Sequence, residues 1–99
     1  MDLNKSSFEA VMKGEKTVLV DFWSPGCAPC LLQAPILEEL EKEIGDSVLI
    51  AKVNVDENIE LAIEHGVMSI PTLMVFKNGE LVNSVAGLTR KEKLLALLA

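Results

Sequence analysis

Trp23-Ser24-Pro25-Gly26-Cys27-Ala28-Pro29-Cys30 is the stretch that holds both cysteines of the chain, separated by two residues. It follows the apolar run Val18–Phe22, and the residues after it, from 31 to 44, have the spacing of an amphipathic helix. The two sulfur atoms therefore lie where a strand passes into a helix. A Cys-x-x-Cys pair at such a point indicates a redox pair.

Length and composition predict one globular domain over residues 1–99. The chain is near the commonest domain size, with 49% hydrophobic and 24% charged residues. Its formal net charge of −6 argues against nucleic acid or an anionic membrane as a partner, because phosphate groups are bound by clustered Lys and Arg. No apolar run approaches the ~20 residues that a membrane span requires.

The cysteine content bears on the cellular compartment. Met1–Lys5 lacks the apolar core of a signal peptide, so we expect a cytoplasmic protein, and nothing in the sequence predicts more than a monomer. In a reducing cytosol, a close cysteine pair is catalytic or metal-binding more often than structural. A zinc site is the alternative, but tetrahedral zinc takes four ligands and only His65 is available beside the two cysteines. We therefore expect no metal.

Hydrophobic patterning predicts alternating helices and strands. The predicted helices are 6–14, 28–44, 59–65 and 90–99, and the predicted strands are 17–23, 48–55, 72–76 and 81–85. Asn78-Gly79, between the last two strands, is typical of a hairpin turn. Strand–helix–strand units imply parallel pairing and a hairpin adds antiparallel strands. We predict an α/β fold with a central mixed β-sheet flanked by helices on both faces.

Local signals place the ends and the buried faces of these helices. A capping box of Ser6 and Glu9 is predicted for the first helix, Asn58 for the start of the third and Thr89 for the last. Pro35 lies inside the second helix and is predicted to kink it. The apolar face of that helix is predicted to consist of Leu32, Ile36, Leu37, Leu40 and Ile44.

With these elements in place, the chain resembles the thioredoxins over nearly its whole length. A lone Cys-x-x-Cys is weak evidence, but a set of motifs in this order and spacing is specific. The matching residues are Val20–Trp23, Cys27–Cys30, Ala34–Leu37, Lys52–Asp56, Ile70–Thr72, Phe76–Gly79 and Gly87. The resemblance implies the thioredoxin fold and a protein-disulfide reductase active in cell redox homeostasis. It also implies a flavoprotein of the thioredoxin reductase type as electron donor, and no cofactor beyond the redox-active cysteines.

The chain departs from the family pattern beside the cysteines. The family usually has Trp-Cys-Gly-Pro-Cys-Lys, whereas this chain has Gly26, Ala28 and Leu31 in place of that Trp, Gly and Lys. It also has Met68-Ser69 where the family often has Arg-Gly. These departures concern recognition and redox tuning. They leave open a specialised donor to one dedicated target or to a non-standard reductase, and a binding module that keeps the fold without turnover.

The two cysteines have different expected roles. Disulfide exchange needs an exposed thiolate nucleophile and a second thiol that resolves the mixed disulfide. Cys27 is predicted at the helix N-terminus, where unpaired backbone N–H groups favour negative charge, so it is the predicted nucleophile. Cys30 lies one turn later, is expected to point inward and is the predicted resolving thiol. Pro29, between them, fits the first helical turn, where a missing N–H costs nothing.

Asp21 is a carboxylate in an otherwise apolar strand. Burying an unpaired carboxylate is expensive, so we expect a raised pKa, a charged partner, or both. Lys52, in the neighbouring strand, is the expected partner and tunes Asp21. One interpretation makes Asp21 the proton acceptor for Cys30 through water, and the other makes it half of a structural ion pair. The resemblance supports the first, because the family has an acid there.

The remaining site residues are predicted around the sulfur atoms. Composition alone predicts a trans Ile70-Pro71 bond, whereas the resemblance implies a cis bond that exposes the Ile70 backbone to an extended substrate segment. The predicted substrate-binding residues are Gly26, Ala28, Pro29, Ile70, Pro71 and Gly87. Trp23 either packs under the active-site loop, with its indole N–H bonded to Asp56 or a carbonyl, or fills the core. An apolar docking surface is predicted from Gly66, Val67, Met68, Gly87 and Leu88, with the core as the alternative for Met68.

Overall fold

Four strands form one sheet in a computed structural model that describes all 99 residues. The strands are β1 Thr17–Trp23, β2 Val48–Asn54, β3 Thr72–Lys77 and β4 Glu80–Ala86, and their spatial order is β2-β1-β3-β4. β1 pairs parallel to β2 and antiparallel to β3, and β4 pairs antiparallel to β3. The α-helices are α1 Lys5–Met12, α2 Ala28–Ile44, α3 Ile59–Glu64 and α4 Lys91–Leu98. The predicted mixed α/β fold is confirmed.

β1 is the centre of the structure because it contributes to a hydrophobic core on each face of the sheet. Successive side chains of a strand point to opposite faces. Val18, Val20 and Phe22 pack with Phe8 of α1 and with α3 in one core. Leu19 packs with the buried leucines of α2 and α4 in the other core. Helices therefore cover both faces of the sheet, and none of them is long and apolar enough to cross a membrane.

The buried face of α2 differs from the predicted one by one residue. Leu32 is 60% exposed, whereas Gln33 is fully buried. Gln33, Leu37 and Leu40 share a face at the i, i+4, i+7 spacing, so the apolar pattern alone placed Leu32 wrongly. Burial of the Gln33 amide is possible because both of its polar atoms are hydrogen-bonded to the backbone of Thr89. Pro35 lies inside the helix on its exposed side.

The predicted helix caps are wrong in detail. α1 begins two residues earlier than the Ser6 capping box implies, because Asn4 is the N-cap and accepts a hydrogen bond from the Ser7 backbone N–H at 2.9 Å. Asn58 precedes α3 without a side-chain cap, since its amide instead donates to the Asn54 carbonyl at 3.0 Å. Thr89 is also not a cap, because its hydroxyl donates to the Gly87 carbonyl at 2.9 Å.

The N-terminal residues add a short pairing that the sequence did not predict. The Lys52 N–H donates to the Met1 carbonyl and the Leu3 N–H donates to the Lys52 carbonyl, both at 2.8 Å. These two bonds lie on the outer edge of β2 and satisfy backbone groups that an edge strand leaves open. The same contacts fix the backbone of Lys52, whose side chain lies near the candidate site.

The hairpin between β3 and β4 has the predicted turn. Asn78 and Gly79 both have positive φ angles, 53° and 79°. This is the combination that Asn-Gly adopts readily in a two-residue hairpin. A Cβ atom added at Gly79 would lie 2.7 Å from the Met12 carbonyl oxygen, so the turn packs closely against the end of α1.

Gly79→Ala is expected to lower the free energy of unfolding by about 2–4 kcal/mol, because it combines a left-handed backbone with overpacking against α1. Gly66→Ala is the matched control. Gly66 has a similar φ of 69°, but an added Cβ would meet nothing within 4 Å. The control should lose only about 1 kcal/mol. Urea denaturation measures both values, and equal losses would show that the contact with Met12 is unimportant.

Candidate active site

The two cysteines form a disulfide at the start of α2. Cys27 is the N-cap of the helix, and its Sγ accepts a hydrogen bond from the Cys30 backbone N–H at 3.2 Å. Cys27 is partly exposed, whereas Cys30 is only 1% exposed. A partner protein can therefore reach the first sulfur atom but not the second, and the first lies among backbone N–H groups that favour negative charge.

Ser24 holds the turn that connects β1 to Cys27, a role that sequence reasoning missed. Its hydroxyl donates to Asp56 Oδ2 at 2.6 Å and accepts from the Gly26 N–H at 3.3 Å. Its carbonyl accepts from the Cys27 N–H at 3.1 Å. Ser24 is 7% exposed, so these bonds are largely shielded from water. A serine directly before Pro-Gly is a known turn signal and was the available clue.

Trp23 lacks the predicted hydrogen bond. Its buried Nε1 has no partner, and the Asp56 carboxylate that was expected to accept from it is bonded to Ser24 instead. The indole ring lies beneath Lys52, whose Nζ is 5.4 Å from the ring centroid, a distance suited to a cation–π contact. Trp23 thus links the end of β1 to Lys52 of the neighbouring strand.

The Ile70-Pro71 bond is cis, as the resemblance implied. The Ile70 carbonyl oxygen lies 3.8 Å from Cys27 Sγ, and Pro71 is fully buried. Two hydrogen bonds hold this loop: the Gly87 N–H donates to the Pro71 carbonyl at 2.7 Å, and the Thr72 hydroxyl donates to the Ser69 carbonyl at 2.6 Å. Gly87 has a φ of 89°, a conformation that favours glycine. The loop and the disulfide therefore face each other at a defined distance.

Asp21 is buried without a direct partner. It is 1% exposed, its Oδ1 has no hydrogen bond, and its pKa is raised to about 6. Burial is the main cause of the raised pKa, and the positive charge of Lys52 opposes it. The two residues are in register on adjacent strands, but no salt bridge joins them. Burial therefore raises the pKa of Asp21 as expected, and the structure contains no close ion pair between Asp21 and Lys52.

His65, the C-cap residue of α3, is partly buried and packs against aromatic side chains of α1 and the sheet. Its ring is 4.7 Å from that of Phe8 and 6.0 Å from those of Phe22 and Phe76, and its Nδ1 is 2.9 Å from the Leu61 carbonyl oxygen. The ring therefore packs as an aromatic group against these phenylalanines. No three His, Cys, Asp or Glu side chains are grouped so that they could hold a metal ion.

Exposed apolar side chains lie close to Cys27 in sequence, next to Gly87, and in the segment that precedes the cis-proline. Leu31 is 54% exposed one helical turn after Cys27, and Leu88 is 49% exposed next to Gly87. Met68 is 97% exposed, so the alternative that placed it in the core is wrong. Gly26, Ala28 and Pro29 are also exposed.

This fold and site define a dithiol–disulfide oxidoreductase: a redox-active cysteine pair at a helix N-terminus, opposite a cis-proline, on a mixed sheet. The family model for thioredoxin matches residues 1–99. The chain belongs to the thioredoxin family. The resemblance stated above is confirmed.

The chain also matches curated thioredoxins over most of their lengths. A thioredoxin of Alicyclobacillus acidocaldarius is 48% identical over 99 residues, which cover 100% of this chain and 94% of the relative. A thioredoxin of Bacillus subtilis is 54% identical over 84 residues, covering 85% of this chain and 81% of the relative. A thioredoxin of Rickettsia bellii is 45% identical over 92 residues, which cover 93% of this chain and 88% of the relative. These relatives do not favour the alternative of a specialised donor.

Asp21→Asn should change the dependence of stability on pH. The pKa of Asp21 is about 6 in the folded protein, against an ordinary value of 3.8, so the folded protein binds more protons between these pH values. The free energy of unfolding therefore falls as the pH rises from 4 to 6 and stays lower above 6. The full difference corresponds to about 3 kcal/mol. The asparagine variant should lack this fall and exceed the wild type at pH 7 by about 2–3 kcal/mol.

Urea denaturation of the oxidised protein at pH 4 to 8 measures this difference. Asp46→Asn, at an exposed position, is the control and should leave the fall between pH 4 and 6 in place. A fall of the same size in the Asp21 variant and the wild type would show that another group is responsible.

Proposed function

We propose that this protein is a protein-disulfide reductase in which Cys27 is the nucleophile and Cys30 the resolving thiol. The observation that carries the assignment is the unequal exposure of the two sulfur atoms within one disulfide. Only Cys27 lies at the surface, at the N-terminus of α2, and only it faces the Ile70 carbonyl. Cys30 is buried behind it, where only Cys27 is within bonding reach.

The reaction then runs in two exchange steps. The Cys27 thiolate attacks one sulfur of a substrate disulfide, forming a mixed disulfide and releasing the other substrate sulfur as a thiolate that takes up a proton. Cys30 loses its proton and attacks the Cys27 sulfur, forming the Cys27–Cys30 disulfide and releasing the second substrate thiol. Two electrons and two protons pass to the substrate. A dithiol reductant must return the protein to the reduced state.

Asp21 is the proposed acceptor of the Cys30 proton, through water. A carboxyl with a pKa of about 6 can take up and release a proton near neutral pH, which an ordinary aspartate does poorly. Asp21 lies on the α2 side of the sheet, in the strand that leads into the cysteine turn. Lys52, in register with Asp21, tunes it by favouring the charged form.

The proposed substrate contact is backbone pairing at Ile70. The N–H and carbonyl of Ile70 make no backbone hydrogen bond within the chain, so both are free to pair with an extended segment. Pro71 and Gly87 hold this loop in place. Gly26, Ala28 and Pro29 are exposed next to Cys27 in the chain and carry little bulk, which favours close approach of a substrate backbone.

The proposed partners follow from the family and the charge. The electron donor is a flavoprotein of the thioredoxin reductase type, and the substrates are proteins with reducible disulfides. The protein acts as a monomer in the cytoplasm, where reducing equivalents are available. It needs no cofactor beyond its own cysteines. The net charge of −6 supports proteins over nucleic acids or anionic membranes as partners.

Variants of the two cysteines test the assigned roles. With dithiothreitol as electron donor, wild-type protein should reduce the disulfides of insulin, and Cys27→Ser should abolish the reaction. Cys30→Ser should form mixed disulfides through Cys27 that persist, because no resolving thiol remains. Non-reducing electrophoresis with mass spectrometry identifies the linked residues. Cross-links through residue 30 in Cys27→Ser, or insulin reduction by that variant, would reverse the assignment.

Leu31→Lys should alter substrate preference. Contact of a substrate with this partly exposed leucine is worth about 1 kcal/mol, so kcat/KM for a peptide disulfide with leucine beside its cysteine should fall about fivefold. A peptide with glutamate there should react faster than before. Leu81→Lys is the matched control, because Leu81 is 51% exposed but lies on β4. Equal effects of the two variants would mean that only the net charge matters.

A further inference from the structure

Gln33 is a buried polar residue that the proposed reaction does not use. Its side chain is fully buried in the face of α2 that packs against the sheet. The amide Nε2 donates to the Thr89 carbonyl at 2.9 Å, and Oε1 accepts from the Thr89 N–H at 2.8 Å. The side chain therefore pairs with one backbone residue through both of its polar ends. Such a pair fixes orientation as well as distance.

Thr89 lies in the segment that supports the cis-proline loop. The Thr89 hydroxyl donates to the Gly87 carbonyl at 2.9 Å, and the Gly87 N–H donates to the Pro71 carbonyl at 2.7 Å. The residue before Pro71 is Ile70, whose carbonyl is 3.8 Å from Cys27 Sγ. A continuous set of contacts thus runs from Gln33 to the loop that faces the sulfur atom.

Both ends of this path belong to the same helix. Gln33 follows Cys30 by three positions, so the two side chains lie on one face of α2, and Cys27 is the N-cap of that helix. The contacts therefore form a closed ring that begins and ends on α2. The Ile70–Pro71 loop continues into β3 of the sheet on one side, and on the other it is connected to Gln33 through Gly87 and Thr89.

We propose that Gln33 is a positioning residue that holds the Ile70–Pro71 loop at the distance from Cys27 needed to bind protein substrates. The inference rests on the proposed function, because it concerns the backbone pairing of substrates at Ile70. Loss of the Gln33 contacts lets the segment 87–89 and the loop shift, and an extended substrate then no longer meets Ile70 and Cys27 together. A small disulfide that touches only the sulfur atom does not depend on this distance.

Gln33→Met tests the proposal, because methionine has a similar length but cannot pair with Thr89. Steady-state reduction is compared for insulin and for 5,5′-dithiobis(2-nitrobenzoate), which is too small to pair with the loop. In the variant, kcat/KM for insulin should fall about tenfold, mainly through a higher KM, and the value for the small disulfide should stay within twofold. All rates are measured well below the unfolding temperature of each variant.

Leu37→Met is the matched control, since Leu37 is 2% exposed on the same face of α2 and does not contact Thr89 by hydrogen bonds. It should leave the ratio of the two kcat/KM values unchanged. Thr89→Ala breaks a second link, the bond to Gly87, while keeping the backbone pairing with Gln33. Thr89→Ala should also lower kcat/KM for insulin, by about threefold. It tests the connection between Gln33 and the loop even if Gln33→Met does not fold.

The outcomes separate the proposal from a purely structural role. A loss of stability in Gln33→Met with an unchanged ratio of the two kcat/KM values would overturn it, and so would an equal fall for both disulfides. If Gln33→Met does not fold, an unchanged ratio in Thr89→Ala overturns it. Failure of the proposed function is distinct, because the wild type would then reduce neither disulfide.

Discussion

Burial of β1 on both faces is the constraint on which the rest of the structure depends. Residues 18–22 are all buried, and the strand pairs with β2 on one side and β3 on the other. A strand in this position is stable only if helices cover both faces of the sheet, which explains the two separate cores. It also fixes the point at which the chain leaves the sheet, so the turn at Ser24 and the start of α2 have little freedom.

The same constraint creates the chemistry of the site. A carboxylate in a strand that is covered on both sides loses water on folding, so burial raises the pKa of Asp21. The positive charge of Lys52 on the adjacent strand opposes this rise only in part. Ionisation of this carboxyl near neutral pH therefore opposes folding. Such a cost is consistent with the proposed role of Asp21 as a proton acceptor, because functional sites often reduce the stability of the fold that contains them.

The sequence was sufficient for features that depend on neighbouring residues in the chain, namely β1, the Asn78-Gly79 turn and the cysteine pair at a helix start. The cis Ile70-Pro71 bond came from the family resemblance, because local composition favours trans. Features that depend on distant partners were missed. Gln33 is buried only because Thr89, 56 positions later, pairs with it. Asp56 bonds Ser24, 32 positions earlier, and leaves the Trp23 indole without a partner.

The unequal burial of the two cysteines has a consequence for the timing of the proposed cycle. A substrate linked to Cys27 has a resolving thiol tethered beside it, and a tethered group acts at an effective concentration far above that of free thiols in solution. The lifetime of the covalent complex is then an intrinsic property of the folded chain, independent of the surrounding thiol pool. A partner that moved Cys30 even slightly would turn a transient complex into a durable one.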